Sequence, residues 1–318
     1  MSRRLGGRAL RLLAVLAVVS FGTFIMVDLV PGDAAVQVLG ENSTPQDYER
    51  VRDELGLDQP VLTRYVDWLG SAVRGDFGQN LVAPIKDVRG TIATALPVNV
   101  ELALLSLLLA VAVAIPAALF SVHRPGGRAD RWTSTVCVAI ISVPGFLVGL
   151  LLLLLFAITW QLLPVGQWAS LSDAGLVTNL RFALLPVLTL ALPEAAVFTR
   201  LLRRDLLATM EEDFITVARA KGMPARHILL REALRPSSFS LVTLVGVSVG
   251  HLIGGSIIVE QVYSLPGMGS VIVQAAQTSD YPLVQMGVLV LAVLYVVLNF
   301  AVDVLYGVID PRVRRAHG

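Results

Sequence analysis

The 318-residue sequence contains one cysteine, four histidines and two lysines. Cys137 alone can close no intrachain disulfide and build no cysteine metal cluster. His123, His227, His251 and His317 fall on separate segments without metal-ligand spacing. Lys86 follows Ile85 and Lys221 follows Ala220, so neither sits in a Gly-Lys-Ser/Thr loop, whose lysine reaches the β and γ phosphates of a nucleotide. No catalytic residue, metal or cofactor is therefore expected on the chain. Charge is scarce as well, at 15% of residues, where soluble chains carry about 25%. A net charge of +1 gives no footing for a nucleic-acid partner.

Apolar residues make up 55% of the chain and mean hydropathy is +0.72, which places it in the membrane class. Six apolar runs stand out: Leu12–Val30, Pro97–Ser121, Thr133–Trp160, Phe182–Leu202, Ser237–Val259 and Leu283–Leu305. Each reaches the roughly 20 residues a helix needs to cross a bilayer. Arg3, Arg4, Arg8 and Arg11 before the first run resemble the start of a signal peptide. The length of that run, the lack of a clear small-x-small cleavage site and the five later runs favour a retained span. Pro116, Pro144, Pro186 and Pro193 fall inside spans, where neighbouring helices can re-satisfy the freed carbonyls. The expected fold is an all-α integral membrane protein with six transmembrane helices.

Basic residues set the orientation. The N-terminus, the second and fourth connections and the C-terminus hold 18 of the 25 Lys and Arg, so both termini are expected in the cytoplasm. The expected organisation is a first span within 1–30, an extracytoplasmic segment over 31–96, a permeating core over 97–309 with a cytoplasmic insert at 205–236, and a tail at 310–318. In the outer segment, Thr44 can cap a helix over Pro45–Leu55, and Val61, Tyr65, Trp68 and Leu69 share one face of a helix over Val61–Val73.

The insert reads as a helix, a corner and a second helix. Glu212 or Asp213 can cap the first, and Phe214, Val217 and Ala218 form an apolar stripe. Arg219 and Lys221 suit the negative end, Gly222 suits a left-handed corner, and Pro224 suits the first position of the next helix, expected to stop before Pro236. A short helix of this kind is a knob shaped to seat in another protein's groove.

The run Thr216-Val-Ala-Arg-Ala-Lys-Gly222 resembles the coupling-loop signature of ABC importer membrane subunits, with Thr216 and Val217 where Glu and Ala stand in the general pattern. Of its later Ile-x-Leu-Pro element, Leu234 fits and Pro236 falls one residue late. Leu29-Val-Pro-Gly-Asp33, Leu55-Gly-Leu-Asp-Gln-Pro60, Gly75-Asp-Phe-Gly78, Leu265-Pro-Gly-Met-Gly269, Asp280-Tyr-Pro282 and Asp310-Pro-Arg312 are similar to motifs of the dipeptide/oligopeptide/nickel branch, in order along nearly the whole chain. The resemblance implies a type I importer membrane domain, the first of two related permeases. Its partners would be a second permease, two ATPase subunits that carry the ATP and Mg, and an extracytoplasmic peptide-binding protein. Asp213, Phe214, Val217, Ala218, Arg219, Ala220, Lys221 and Gly222 would then contact an ATPase. Dipeptides, longer peptides, glutathione, nickel chelates and haem all remain open as cargo.

Ionisable groups inside spans are costly, so each asks for a role. Glu194 either lines a translocation path and meets a peptide's amino end, or bonds backbone freed by Pro193 or a partner subunit. His251 either contacts cargo or makes an internal hydrogen bond. Asp28, Glu260 and Asp303 lie near span ends, within reach of the interface. Gly250, Gly254 and Gly255 give the fifth span a small face for close packing. The connection Gln261–Pro282 reads as a re-entrant or surface loop or as a plain linker. A competing reading is an ion-coupled carrier or channel that uses Glu194 and His251 as a proton relay. A carrier of that kind usually shows an internal repeat, and none is evident here.

Overall fold

The computed structural model describes residues 2–29, 34–39, 44–56, 58–82 and 84–309. Among these residues no strand forms; one isolated antiparallel bridge joins Gln79 and Asp87. Outside the described residues lie most of Leu29-Val-Pro-Gly-Asp33, all of Asp310-Pro-Arg312, the tail from 310, and the side chains of Asp28 and Asp303.

The chain divides into two compact units. The first comprises Met1–Asn99 and Pro266–Val297. It holds α1 (Ser2–Leu29), α2 (Ala34–Leu39), α3 (Pro45–Leu55), α4 (Val61–Val73), the start of α5 (Val88–Val122), α12 (Met268–Gln277) and most of α13 (Tyr281–Ile309). Thr44 caps α3 in a capping box with Asp47, and the Thr44 hydroxyl holds that exposed carboxyl below its ordinary range. The buried face of α4 carries Arg64 besides the expected aromatics: Tyr65 and Trp68 pack on Phe24, and the Arg64 guanidinium lies 5.5 Å from the Phe24 ring centre. The Gln261–Pro282 connection contains a helix, α12, whose Met268 packs with Val88, Ile92, Ala95, Met286 and Leu289. Asn99 Oδ1 accepts from Met268 N–H at 2.7 Å, and Asp280 accepts from Leu81 N–H at 3.2 Å. Burial raises the Asp280 carboxyl above the usual carboxylate range.

The second unit comprises Val100–Leu265 and Leu298–Gly318. After the rest of α5 come α6 (Arg128–Ser142), α7 (Gly145–Leu152) with a π-helical extension Leu153–Thr159, and α8 (Leu171–Met210). Then follow α9 (Asp213–Ala220), α10 (Ala225–His227), a π-helical stretch Ile228–Ala233 and α11 (Leu234–Tyr263). Its core rests partly on small residues: Ala110, Ala114 and Ala118 of α5, spaced four apart, belong to one buried cluster with Ala191, Ala195, Phe198, Leu202 and Leu206 of α8. Alanines at this spacing let helix backbones approach closely where lipid supplies no hydrophobic drive. Gly246 is tighter still, since a Cβ there would stand 2.0 Å from Val302.

Four helices among the described residues are long and apolar enough to cross a membrane: Val88–Val122, Leu171–Met210, Ala225–Tyr263 and Tyr281–Val302. Leu12–Met26 is a shorter apolar helix. The run expected as one span, Thr133–Trp160, is bent, with Arg128–Ser142 and Gly145–Thr159 meeting at 101°. Pro144 explains the break. It lacks an N–H, and it drives Val143 into the extended conformation, φ −98° and ψ 129°. The second helix of the insert likewise does not stop before Pro236; it runs on into α11 through the π stretch. There the Ser237 and Ser238 hydroxyls donate to the Ala233 and Leu234 carbonyls at 2.8 and 2.6 Å, while the carbonyl that Pro236 deprives of its helical donor is that of Glu232.

Candidate functional site

Two sites emerge in the second unit. The first is the insert between α8 and α11. Glu212 occupies the N-cap position without a side-chain cap, so the capping expected of it is not made; Asp213 at the first helical position faces the positive dipole end. The helix ends at Ala220. Gly222 N–H then donates to Arg219 O at 2.9 Å and Met223 N–H to Ala218 O at 3.2 Å. This pair of bonds is the Schellman closure, and it requires the φ of +73° found at Gly222. Pro224 serves as N-cap of the next helix rather than its first residue.

The apolar residues of α9 split between two faces. Ile215 and Ala218 are buried in the core that also holds Leu206 of α8, Ile228 of the π stretch and Leu241 of α11. Phe214 and Val217 point outward, 44% and 52% exposed. The expected stripe Phe214, Val217, Ala218 is thus corrected: Ala218 faces inward, and Ile215, absent from that stripe, is the anchor. Helical spacing puts Ile215 and Ala218 three apart on one side, a signal already present in the sequence. Asp213, Arg219, Ala220, Lys221 and Gly222 are exposed.

The second site lies within the spans. Glu194 is buried, and both its oxygens are engaged: Oε2 accepts from Ser248 Oγ at 2.7 Å, and Oε1 meets His251 Nδ1 at 2.8 Å. The structure therefore joins Glu194 and His251, and adds Ser248, one turn before the histidine, which sequence reasoning missed. The carboxylate bonds these side chains of α11 rather than backbone freed by Pro193. Gly246-Val-Ser248-Val-Gly250 has the Gly-x-Ser-x-Gly spacing of a serine-nucleophile motif, which corrects the expectation that the sequence holds none. Its hydroxyl donates to a carboxylate from mid-helix, and no nucleophile–base pair results.

One face of α11 is exposed from end to end: Ser240, Thr243, Val247, His251, Gly254, Ile258 and Gln261, every third or fourth residue. A Cβ at Gly254 would meet nothing within 4 Å. Glu260, expected near the interface, is fully buried, with Ser256 Oγ donating to it at 2.8 Å. A further ion pair, its carboxylate buried and its guanidinium partly exposed, ties three helices together. Arg203 of α8 clamps Asp130 of α6 through two bonds of 2.6 and 2.8 Å, and Ser121 of α5 and Gly126 N–H also donate to Asp130. Asp130 is a lone acid amid Arg124, Arg128 and Arg131, and that was its only trace in the sequence.

Comparison with known proteins gives a consistent result. Residues 106–315 match the family of binding-protein-dependent transport system inner membrane components, and residues 1–103 match its N-terminal companion. A probable peptide ABC transporter permease protein from Sinorhizobium fredii is 33% identical over 307 residues, covering 96% of this chain and 97% of the relative. A putative peptide transport system permease protein from Brucella abortus is 34% identical over the same length, with the same coverage. A glutathione transport system permease protein from Escherichia coli K12 is 34% identical over 308 residues, 96% of this chain and 97% of the relative. A crystal structure of an amino acid ABC transporter with histidines covers 70% of this chain and 94% of its own, at 17% identity and a TM-score of 0.49. The chain belongs to the binding-protein-dependent transport system inner membrane components, as a permease of the peptide-type ABC importers.

Proposed function

We propose that this chain forms half of a peptide translocation path and is driven by ATPase subunits that grip α9. The observation that carries the reading is the two-sided helix. Ile215 and Ala218 fasten α9 into a core shared with α8 and α11, while Phe214 and Val217 stand exposed beyond it. A partner that seats Phe214 and Val217 and then moves must move both long helices with it. In this reading two ATPase subunits hold the ATP and Mg, and a second, homologous permease completes the path. An extracytoplasmic binding protein delivers di- or oligopeptides. ATP shifts the inward–outward equilibrium only through its different affinity for the two states.

The reading places six spans in the membrane, including Leu12–Val30 and the bent pair, with both termini in the cytoplasm. Ser172→Cys in whole cells is expected to react with an impermeant thiol reagent from outside; protection there with labelling of the C-terminal tail would reverse the orientation.

Phe214→Ala tests the docking face. A buried interface aromatic is worth about 2 kcal/mol or more, so loss of the ring is expected to weaken ATPase association by roughly thirtyfold. Pull-down of the ATPases with the tagged permease measures it. Wild-type retention of the ATPases, or uptake by vesicles that lack them, would defeat the reading and restore the ion-coupled carrier.

A further inference from the structure

We infer that His251 is the cargo-contacting group of the path and that it recognises the amino end of a peptide, with Glu194 and Ser248 as the residues that position it. The inference rests on the permease reading above and adds to it the polarity of recognition.

Burial divides the labour. The Glu194 side chain is 9% exposed and the His251 ring 77%. Glu194 Oε1 stands 2.8 Å from His251 Nδ1, and the tautomer that donates Nδ1–H to the carboxyl group leaves Nε2 as an acceptor. Ser248 holds the other oxygen, and at 9% exposure the carboxylate offers little surface to a passing peptide. What it does is fix the ring, leaving Nε2 on the open side. A carboxylate behind an imidazole sets tautomer and orientation in just this manner at metal-binding histidines.

Charge then selects the ligand. Apart from this pair the exposed face, from Ser240 to Gln261, carries no ionisable side chain. The acid of the pair lies behind the ring, no fixed cation stands there to hold a carboxylate, and Nε2 is the atom presented to an ammonium N–H. The neighbours fit a path: Val247 lies one turn before His251 and Gly254 one turn after, both exposed, and the glycine leaves room beside the ring. A polar, notched face of this kind is costly against lipid.

The test uses the complete importer with its binding protein in vesicles, carrying Cys137→Ala and Val247→Cys so that the sole thiol of this chain stands one turn from His251. Two tripeptides that the complex takes up, Cys-Ala-Ala and Ala-Ala-Cys, are supplied during turnover, followed by a disulfide-forming oxidant. The Cys-Ala-Ala adduct is expected to exceed the Ala-Ala-Cys adduct at least fivefold, and to fall to the Ala-Ala-Cys level when His251→Ala is added. Glu194→Gln gives the same fall through misorientation of the ring, and it carries the test alone if His251→Ala does not assemble. Equal adducts from both peptides, an adduct indifferent to His251 and Glu194, or no adduct at all would each overturn the inference. Failure of the underlying reading looks different: uptake by the unmodified complex would then persist without ATP.

Discussion

Gly222→Val is expected to leave the permease inserted and assembled while uptake collapses. The substitution meets no steric wall, because a Cβ at Gly222 has nothing within 4 Å. The difficulty is confined to the backbone. At φ +73° an L residue pays about 1–2 kcal/mol, and branching at Cβ adds to it. The chain can relieve that strain by returning φ to negative values, which breaks the bonds from Gly222 and Met223 to Arg219 and Ala218 and swings α9 off its axis. A turned α9 still displays Phe214, yet a push on it no longer enters α8 and α11 through Ile215. ATP hydrolysis should therefore continue with little peptide moved. Gly222→Asn, which tolerates the left-handed region, should retain more uptake than Gly222→Ala, and alanine more than valine. Uptake, ATP hydrolysis and ATPase co-purification measured side by side give the order. A valine variant that transports like wild type would remove the insert from the coupling mechanism.

That corner was legible because a left-handed residue leaves a local mark. The same holds for Thr44 with Asp47 and for the helix Val61–Val73, where cap and periodicity lie within a few neighbouring residues. Features that depend on distant partners were not legible in this way. Pro144 could have been absorbed, as Pro186 and Pro193 are inside α8; instead it turned the chain by 101°. Sequence shows the missing donor and does not show whether neighbours will repair it. Glu260 near a span end looked free to reach water, yet Ser256 and the surrounding helices enclose it. Glu194 and His251 were each singled out as costly, but their union across 57 residues, with Ser248 on the second oxygen, is a product of packing between α8 and α11. The inward turn of Ile215 belongs to the same class: which side of a short amphipathic helix is the inside depends on what lies beneath it.

The largest loss of stability is expected from Asp130→Ala. Asp130 is 4% exposed and receives four donors: two from Arg203, one from Ser121 and one from Gly126 N–H. Removing one partner of a buried pair strands the other, at a cost of about 3–5 kcal/mol. The Arg203 side chain is 29% exposed, so water can reach part of the stranded guanidinium and the effect should fall near the lower bound. Replacing both partners tests whether charge or shape matters. Asp130→Leu with Arg203→Met strands no ion and should recover much of the loss, because two matched apolar groups can be nearly neutral where one orphaned charge is not. Arg203→Lys should recover little of its own defect, since an ammonium cannot reproduce the two-pronged grip. Thermal inactivation of the purified complex measures all three. An Asp130→Ala protein that melts with wild type would mean that the clamp bears no weight, and a double variant no more stable than Asp130→Ala would mean that the loss comes from the missing pair itself and not from its stranded half. Position gives the clamp a second consequence. Arg203 lies on the last turns of α8 before α9, so releasing it frees that end of α8 from Ser121 of α5 and Asp130 of α6, beside the insert. Variants that lose the grip, Arg203→Lys among them, should hydrolyse ATP with a lower yield of transported peptide when assayed below their lowered melting temperature.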